Sequence, residues 1–171
     1  MSARPADRET VDDACALAPL THASIDAVVA LERAVYPFPW TRGNFVDSLV
    51  AGYLCWMLVD RGAGLIAYCI AMRGADELHV LNLTVAEAQR RRGHARRLLA
   101  ELVRVGRGEA AKRIWLEVRQ SNAVARDAYA RMGFATVGMR RAYYPAAAAT
   151  REDAFVMSLG IDGVGDGDAL D

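Results

Sequence analysis

The hydrophobic pattern changes its period in the middle of the chain, and this change limits the folds that the sequence can adopt. Residues 53–59, 65–72 and 78–85 are three strand-like runs, and the segments between them carry glycine and aspartate, which favour turns. From residue 93 to about residue 106, the apolar positions instead recur at the spacing of a helix. The centre of the chain therefore predicts an antiparallel meander of three strands followed by a helix.

The flanking segments predict further elements of the same sheet. Helices are indicated after the candidate N-cap residues Thr21 and Thr41, and over residues 122–132, where Gly133 is placed to end the helix. The further predicted strands are residues 15–20, 112–119, 134–144 and 153–159. This order predicts an α+β fold with a β-α-β crossover in its second half.

Length and composition narrow the class of protein. The 171 residues fit one domain, which we expect over residues 13–160, with an N-terminal arm over 1–12 and an acidic, disordered tail over 161–171. Lys+Arg and Asp+Glu both number 21, which argues against wholesale binding to nucleic acid or to membranes. The three cysteines form no C-x-x-C pair, the three histidines lack metal-ligand spacing, and no signal-peptide pattern is apparent. These features predict a cytoplasmic protein without a metal.

A run of arginines around Gly93 forms the first candidate site. It lies between a predicted strand and a predicted helix, whose start offers unpaired N–H groups and the positive end of a dipole. Gly93 lets the backbone approach an oxygen closely, and arginines can donate charge-assisted hydrogen bonds to phosphate. These features suit a pyrophosphate. The alternatives are a solvated turn or an RNA-binding cluster, but no aromatic residues lie between these arginines.

A glutamate in an apolar strand forms the second candidate site. Period-two alternation places Trp115, Glu117 and Arg119 on one face of the strand over residues 112–119. Either Arg119 pairs with the carboxylate, or Glu117 has a chemical role, such as that of a base whose pKa partial burial would raise. Tyr129, on the next helix, is seven residues from Asn122 and shares its face. Its phenol either packs on the sheet or donates a proton.

These segments resemble a known family. Leu81-Asn82-Leu83-Thr84-Val85, followed by R-x-x-G-x-A at Arg90 to Ala95, is similar to the acetyl-CoA motif of the GNAT superfamily of N-acetyltransferases. The resemblance implies the GNAT fold: a mixed, mostly antiparallel sheet of about seven strands, splayed at the cofactor site and flanked by about four helices. It also implies that acetyl-CoA is the cosubstrate, with its pantetheine arm along the splayed strand and its pyrophosphate at the arginine turn. The implied cofactor-binding residues are Leu83, Thr84, Val85, Arg91, Arg92, Gly93, His94, Ala95, Arg96 and Asn122.

The second half of the motif set narrows the resemblance. W-L-E-V-R-x-S-N-x-x-A-x-x-x-Y-x-x-x-G-F, at Trp115 to Phe134, closely resembles the ribosomal-protein-alanine N-acetyltransferase branch. That resemblance implies that Glu117 is the proton acceptor, that Tyr129 is the proton donor and that Asn122 touches the cofactor. F-P-W at Phe38 to Trp40, R-R-x-Y-Y-P at residues 140–145 and R-E-D at residues 151–153 fit the same branch.

The implied reaction is direct transfer of an acetyl group to the α-amine of a protein N-terminus. The branch implies the N-terminal alanine of a small-subunit ribosomal protein as substrate and partner, without direct binding of nucleic acid. Phe38, Trp40, Tyr143 and Tyr144 are candidates for the peptide entrance, or else they simply pack the loops. Two alternatives stay open: a related enzyme that acetylates an aminoglycoside or polyamine, and a non-catalytic regulator that binds coenzyme A.

Overall fold

The computed structural model describes residues 15–162, which form seven strands and four α-helices. The strands are β1 (Cys15–Pro19), β2 (Leu54–Asp60), β3 (Gly64–Arg73), β4 (Glu77–Val85), β5 (Arg113–Arg119), β6 (Ala135–Pro145) and β7 (Arg151–Gly160). The helices are α1 (Ile25–Val35), α2 (Arg42–Val50), α3 (His94–Gly108) and α4 (Ala123–Arg131). The predicted N-terminal arm and all but the first two residues of the predicted acidic tail lie outside the described residues.

The strands form one sheet in the order β1-β2-β3-β4-β5-β7-β6. All neighbours are antiparallel except β4 and β5, which run parallel because α3 carries the chain across the sheet between them. This confirms the predicted mixed, mostly antiparallel sheet and its β-α-β crossover. The last two strands form a hairpin that folds back, so that β7 inserts between β5 and β6.

Helices cover both faces of the sheet. On one face, α3 buries Leu98, Leu99 and Leu102 against the β5 residues Ile114 and Leu116. This is the apolar stripe that the helical spacing predicts. On the other face, α1 and α2 pack against β3 around a second core, whose fully buried members are Ile25, Val28, Phe45, Tyr68 and Ile70. The site described below opens on this second face.

The turn between α1 and α2 follows from two prolines. Tyr36 already has an extended backbone, with φ of −115°, because the residue that precedes a proline is driven out of the helical region. Pro37 and Pro39 then keep the chain out of a helix up to Thr41. The Thr41 side chain accepts a hydrogen bond from Asn44 N at 3.4 Å and so caps α2. This places the segment between Tyr36 and Trp40 across one end of the sheet.

Two strands in the middle of the sheet separate part of the way along their length. Pairing of β4 with β5 runs from Glu77 opposite Arg113 to Val80 opposite Leu116 and stops there. At the same point Leu81 is an extra residue in β4, since Ala71 of β3 pairs with Val80 and Ile70 pairs with Asn82. The predicted splay of the sheet is therefore confirmed, and a bulge marks its start.

Candidate active site

The separation of β4 and β5 leaves backbone groups directed into a gap. Ala86 N donates to Ile66 O, so alternation along β4 turns the N–H and C=O groups of Leu83 and Val85 away from β3 and towards the gap. On the other side, Gln120 N donates to Asp153 O, so the same alternation turns the backbone of Glu117 towards β4. An extended chain with amide groups can pair with these edges.

Two tyrosines cap carbonyl groups in this gap. Tyr36 donates its hydroxyl to Leu83 O at 3.2 Å, and Tyr144 donates to Glu117 O at 3.0 Å. The first tyrosine comes from the turn after α1 and the second from the end of β6. One carbonyl on each side of the gap therefore already accepts a hydrogen bond from a side chain.

The arginine turn lies at the end of β4 and leads into α3. Gly93 has φ of +83°, which suits glycine, and a Cβ built there would meet no atom within 4 Å. The first paired amide of the helix is Arg97 N, which donates to Gly93 O at 2.9 Å, so the amides of residues 94–96 precede the helical ladder. The open approach above Gly93 and these amides fit a pyrophosphate.

The side chains of the turn are divided between the surface and the interior. Arg91, Arg92 and Arg96 are exposed, whereas Arg97 donates to Cys15 O at 2.9 Å and so ties α3 to β1. His94 is buried, and burial together with the charges of Arg92 and Arg97 lowers its pKa, which favours the neutral imidazole. His94 can therefore serve an anion through its backbone amide rather than through a charged ring.

Glu117 lies beside the gap with its side chain 7% exposed. His79 Nε2 lies 3.0 Å from one carboxylate oxygen, and Arg140 Nε lies 2.9 Å from the other. Burial by itself raises the pKa of Glu117, but the His79 hydrogen bond and the charges of His79 and Arg140 outweigh it and hold the pKa below its usual value. The expectation of a raised pKa was therefore wrong, because it took account of burial but not of these partners.

Arg119 does not pair with Glu117, although the two share a face of β5. Its guanidinium donates to Pro145 O at 2.8 Å and to Glu152 at 3.2 Å. The same guanidinium lies 4.5 Å from the ring centroid of Tyr144 and 5.8 Å from that of Phe38. Arg119 thus joins the turn after α1 to the β6–β7 hairpin across the open face of the site.

Tyr129 lies on α4 and packs against the core between α3 and the sheet, with its ring centroid 5.7 Å from that of Phe134. Burial raises its pKa, and the nearby Tyr36, Cys69 and Tyr144 raise it further. Both tyrosines that cap the gap thus act on the phenol electrostatically, and the phenol stays protonated at neutral pH. It can therefore donate a hydrogen bond.

Asn122 caps α4, since its side-chain oxygen accepts from Ala125 N at 3.1 Å. The preceding residue is fixed as well, because Ser121 N donates to Glu152 at 2.5 Å. Glu152 thereby connects the turn before α4 to β7.

The four aromatic candidates for the entrance do not share one environment. Phe38 is 43% and Tyr143 is 42% exposed, and Tyr143 packs edge-on against Tyr144 with centroids 4.9 Å apart. Trp40 instead packs into the second core, 5.5 Å from the ring of Phe45, and its backbone N donates to Glu32. Three of the four therefore form a rim beside Glu117, and Trp40 anchors the turn that carries Phe38.

Two charged residues of the hairpin shape this rim. A register shift between Arg140 and Tyr144 leaves residues 141–143 outside the ladder. Asp153 accepts from Ala142 N at 2.8 Å, and Arg151 donates to the carbonyls of Ala142 and Tyr143. Residues 140–145 and 151–153, which the sequence singles out separately, thus form one structure.

A buried polar cluster that was not predicted lies under the gap. Glu32 is 2% exposed and accepts hydrogen bonds from the side chains of Tyr68, Asn82 and Thr84. Thr84 also contacts Tyr36 at 3.2 Å. Thr84, a predicted cofactor residue, thus directs its side chain into this cluster. The period of α1 places Glu32 on the buried face, which is the one indication that could have found it.

No group of three or more His, Cys, Asp or Glu side chains within residues 15–162 is placed to hold a metal ion. No helix in the same range is long and apolar enough to span a membrane.

Three features together indicate an acyltransferase: the separation of the parallel strands β4 and β5, the start of α3 at Gly93, and the nearly buried carboxylate of Glu117. The model of the acetyltransferase (GNAT) family matches residues 25–134, and the chain belongs to that family. It is therefore an N-acetyltransferase that uses acetyl-CoA as its cosubstrate.

Individual relatives are more specific. The [ribosomal protein bS18]-alanine N-acetyltransferase of Haemophilus ducreyi is 33% identical over 129 residues, which are 75% of this chain and 88% of that protein. The enzyme of the same name from Escherichia coli K12 is 34% identical over 137 residues, covering 80% and 91%. The crystal structure of the Escherichia coli ribosomal-protein-S18-alanine N-acetyltransferase matches with a TM-score of 0.79 and 31% identity, over 90% of this chain and 97% of that one.

Proposed function

We propose that this enzyme acetylates the α-amine of a protein N-terminus in the cytoplasm, and that its substrate is the N-terminal alanine of ribosomal protein bS18. The names of its relatives support this substrate. The observation that carries the proposal is Glu117, a nearly buried carboxylate beside the gap under a rim of aromatic residues and arginines.

The low pKa of Glu117 favours an α-amine over a lysine side chain. An α-amine has a pKa of about 7.7–8.0, so removing its proton at pH 7 costs about 1 kcal/mol. The same step costs about 4 to 5 kcal/mol for lysine, whose pKa is about 10.4. A carboxylate whose pKa lies below its usual value is a weak base, and it suits the first task better than the second.

The charge of the rim argues against small polycationic acceptors. Arg119 and Arg140 both lie at the open face, and Arg140 already pairs with Glu117. An aminoglycoside or a polyamine carries several positive charges, which these guanidinium groups repel. A peptide brings one ammonium group, and its first side chain and backbone can rest against Phe38 and Tyr143.

The proposed roles follow from position. Glu117 takes the proton of the acceptor ammonium, and Tyr129 donates a hydrogen bond to the departing sulfur. The edge of β4 at Leu83 and Val85, together with the amides of residues 91–96, holds the cosubstrate. Asn122, which caps α4, contacts the cosubstrate in this proposal.

Peptide acetylation tests the substrate. The enzyme is incubated with acetyl-CoA and a short Ala-initiated peptide that also contains one lysine, and mass spectrometry locates the acetyl group. We expect acetylation of the α-amine alone, and little thiol release with spermidine or an aminoglycoside. Faster turnover of the small amines would contradict the proposed substrate, and absence of thiol release with every amine would indicate a non-catalytic regulator.

Gly93→Ala is expected to weaken acetyl-CoA binding by about tenfold, since Ala resists the left-handed backbone and its Cβ enters the space above the turn. Gly64→Ala is the matched control, because Gly64 has φ of +73° and is equally open but is the first residue of β3, after the β2–β3 turn. Both variants should lose about 1 kcal/mol of stability. Calorimetric titration measures the affinity for acetyl-CoA. Equal affinities in the two variants would show that the arginine turn is not part of the binding site.

A further inference from the structure

The carboxylate of Glu117 and the imidazole of His79 lie side by side at the point where the sheet divides. His79 stands on β4, opposite Trp115 and two residues before the bulge at Leu81. Its Nε2 atom lies 3.0 Å from Glu117 Oε2, and its side chain is 22% exposed against 7% for Glu117. The imidazole is thus the more accessible member of the pair.

Charged groups from three strands act on the His79 imidazole. Glu117 of β5 and Glu77 of β4 both favour a positive charge on His79, whereas Arg140 of β6 opposes it. The hydrogen bond to Glu117 is the largest effect, and the pKa of His79 rises above its ordinary value despite partial burial. The pKa of Glu117 moves in the opposite direction. A proton that arrives at the pair is therefore held on the imidazole rather than on the carboxylate.

We propose that His79 and Glu117 work as one proton-holding pair, in which His79 is the positioning residue that keeps the proton taken from the acceptor amine. This inference rests on the proposed function, in which Glu117 faces that amine. One N–H bond of the acceptor ammonium breaks and its electron pair stays on the amine nitrogen, while the proton passes through the Glu117 carboxylate to His79. The new N–H bond forms at His79 Nε2, so in the proposed resting state the neutral ring carries its proton on Nδ1. The pair passes from neutral imidazole beside carboxylate to imidazolium beside carboxylate.

A purely structural ion pair would give a different pH profile of kcat. A structural His79 would hold Glu117 in place at every pH, and its loss would lower kcat by one factor throughout. A proton-holding His79 must be neutral before turnover, so activity falls as the pH drops through the pKa of His79. The pH profile of kcat separates the two roles.

His79→Gln tests the proposal, because the amide side chain can still donate a hydrogen bond to Glu117 but does not titrate. We expect the acid limb of the kcat profile to move to lower pH by about one unit, with a fall of about tenfold in the plateau. His22→Gln, an exposed substitution before α1, serves as the matched control and should reproduce the parent profile. Both variants use the same Ala-initiated peptide, so the titration of the acceptor is common to them.

An acid limb of His79→Gln that coincides with that of the parent enzyme would overturn the proposal. A second measurement does not depend on that variant. NMR titration of the His79 ring should give a lower pKa in Glu117→Gln than in the parent protein, and equal values would also overturn it. Full turnover by Glu117→Gln would instead contradict the proposed function, so the two failures are distinguishable.

Discussion

Glu117→Gln is expected to lower kcat for an Ala-initiated peptide by about a hundredfold or more at pH 7, while the affinity for acetyl-CoA stays unchanged. Glutamine has the shape of glutamate but cannot take a proton from the acceptor ammonium. The side chain is 7% exposed and lies between His79 and Arg140, so water does not readily replace it as a base. In this variant the acceptor amine has to lose its proton to bulk solvent before it reacts.

The fall in kcat caused by Glu117→Gln is expected to depend on pH. The deficit should shrink as the pH rises through the α-amine pKa of about 7.7–8.0, because the acceptor then arrives already neutral. Glu109→Gln is the control, since Glu109 forms an exposed ion pair with Arg73 at 2.9 Å, away from the gap. A deficit in Glu117→Gln that is the same at every pH would argue against a base and favour a role in positioning alone.

The sequence predicted the elements of this fold well because each depends on local patterns. Strand-like runs separated by turns with glycine and aspartate specified the meander of β2, β3 and β4. The spacing of Leu98 and Leu102 specified the buried face of α3. Gly133 ends α4 with φ of +91°, as its position predicts. The splay between β4 and β5 came from the family resemblance, since no local pattern in β4 indicates the bulge at Leu81.

The partners of Glu117 could not be predicted, since they come from distant parts of the chain. Alternation along β5 places Arg119 on the same face, and this made Arg119 the obvious candidate. His79 instead reaches Glu117 from β4, and Arg140 reaches it from β6. The positions of His79 and Arg140 beside Glu117 depend on the order of strands in the sheet. Burial alone would raise the pKa of Glu117, but these two partners lower it.

The same limitation applies to the aromatic rim. F-P-W reads as one motif along the chain, but Phe38 lies over Arg119 whereas Trp40 packs against Phe45 in the core. The buried Glu32 explains the difference, because it accepts the backbone N–H of Trp40 and so turns this residue inwards. A buried carboxylate with several donors fixes the geometry of the chain around it.

Tyr129→Phe is expected to lower kcat by about a hundredfold, with little change in the affinity for either substrate. The substitution removes one hydroxyl and keeps the ring against Phe134, so α4 should stay folded. In the parent enzyme, the raised pKa of Tyr129 keeps the phenol protonated through the neutral range. Because a thiol has a pKa of about 8.5, full transfer of the phenolic proton to the leaving sulfur is uphill. We therefore propose that Tyr129 donates a hydrogen bond to the sulfur as charge develops there.

Two comparisons make this prediction specific. Tyr53→Phe removes a hydroxyl beside the second core, on a residue that precedes β2, and should leave kcat unchanged. We expect a thioester of a more acidic thiol to reduce the difference in kcat between Tyr129→Phe and the parent enzyme. A more acidic thiol is a better leaving group and depends less on a hydrogen bond from the phenol. Single-turnover kinetics on both thioesters measures this. If the deficit of Tyr129→Phe is equal on both, the phenol does not act on the leaving sulfur and serves instead to pack α4 against the sheet.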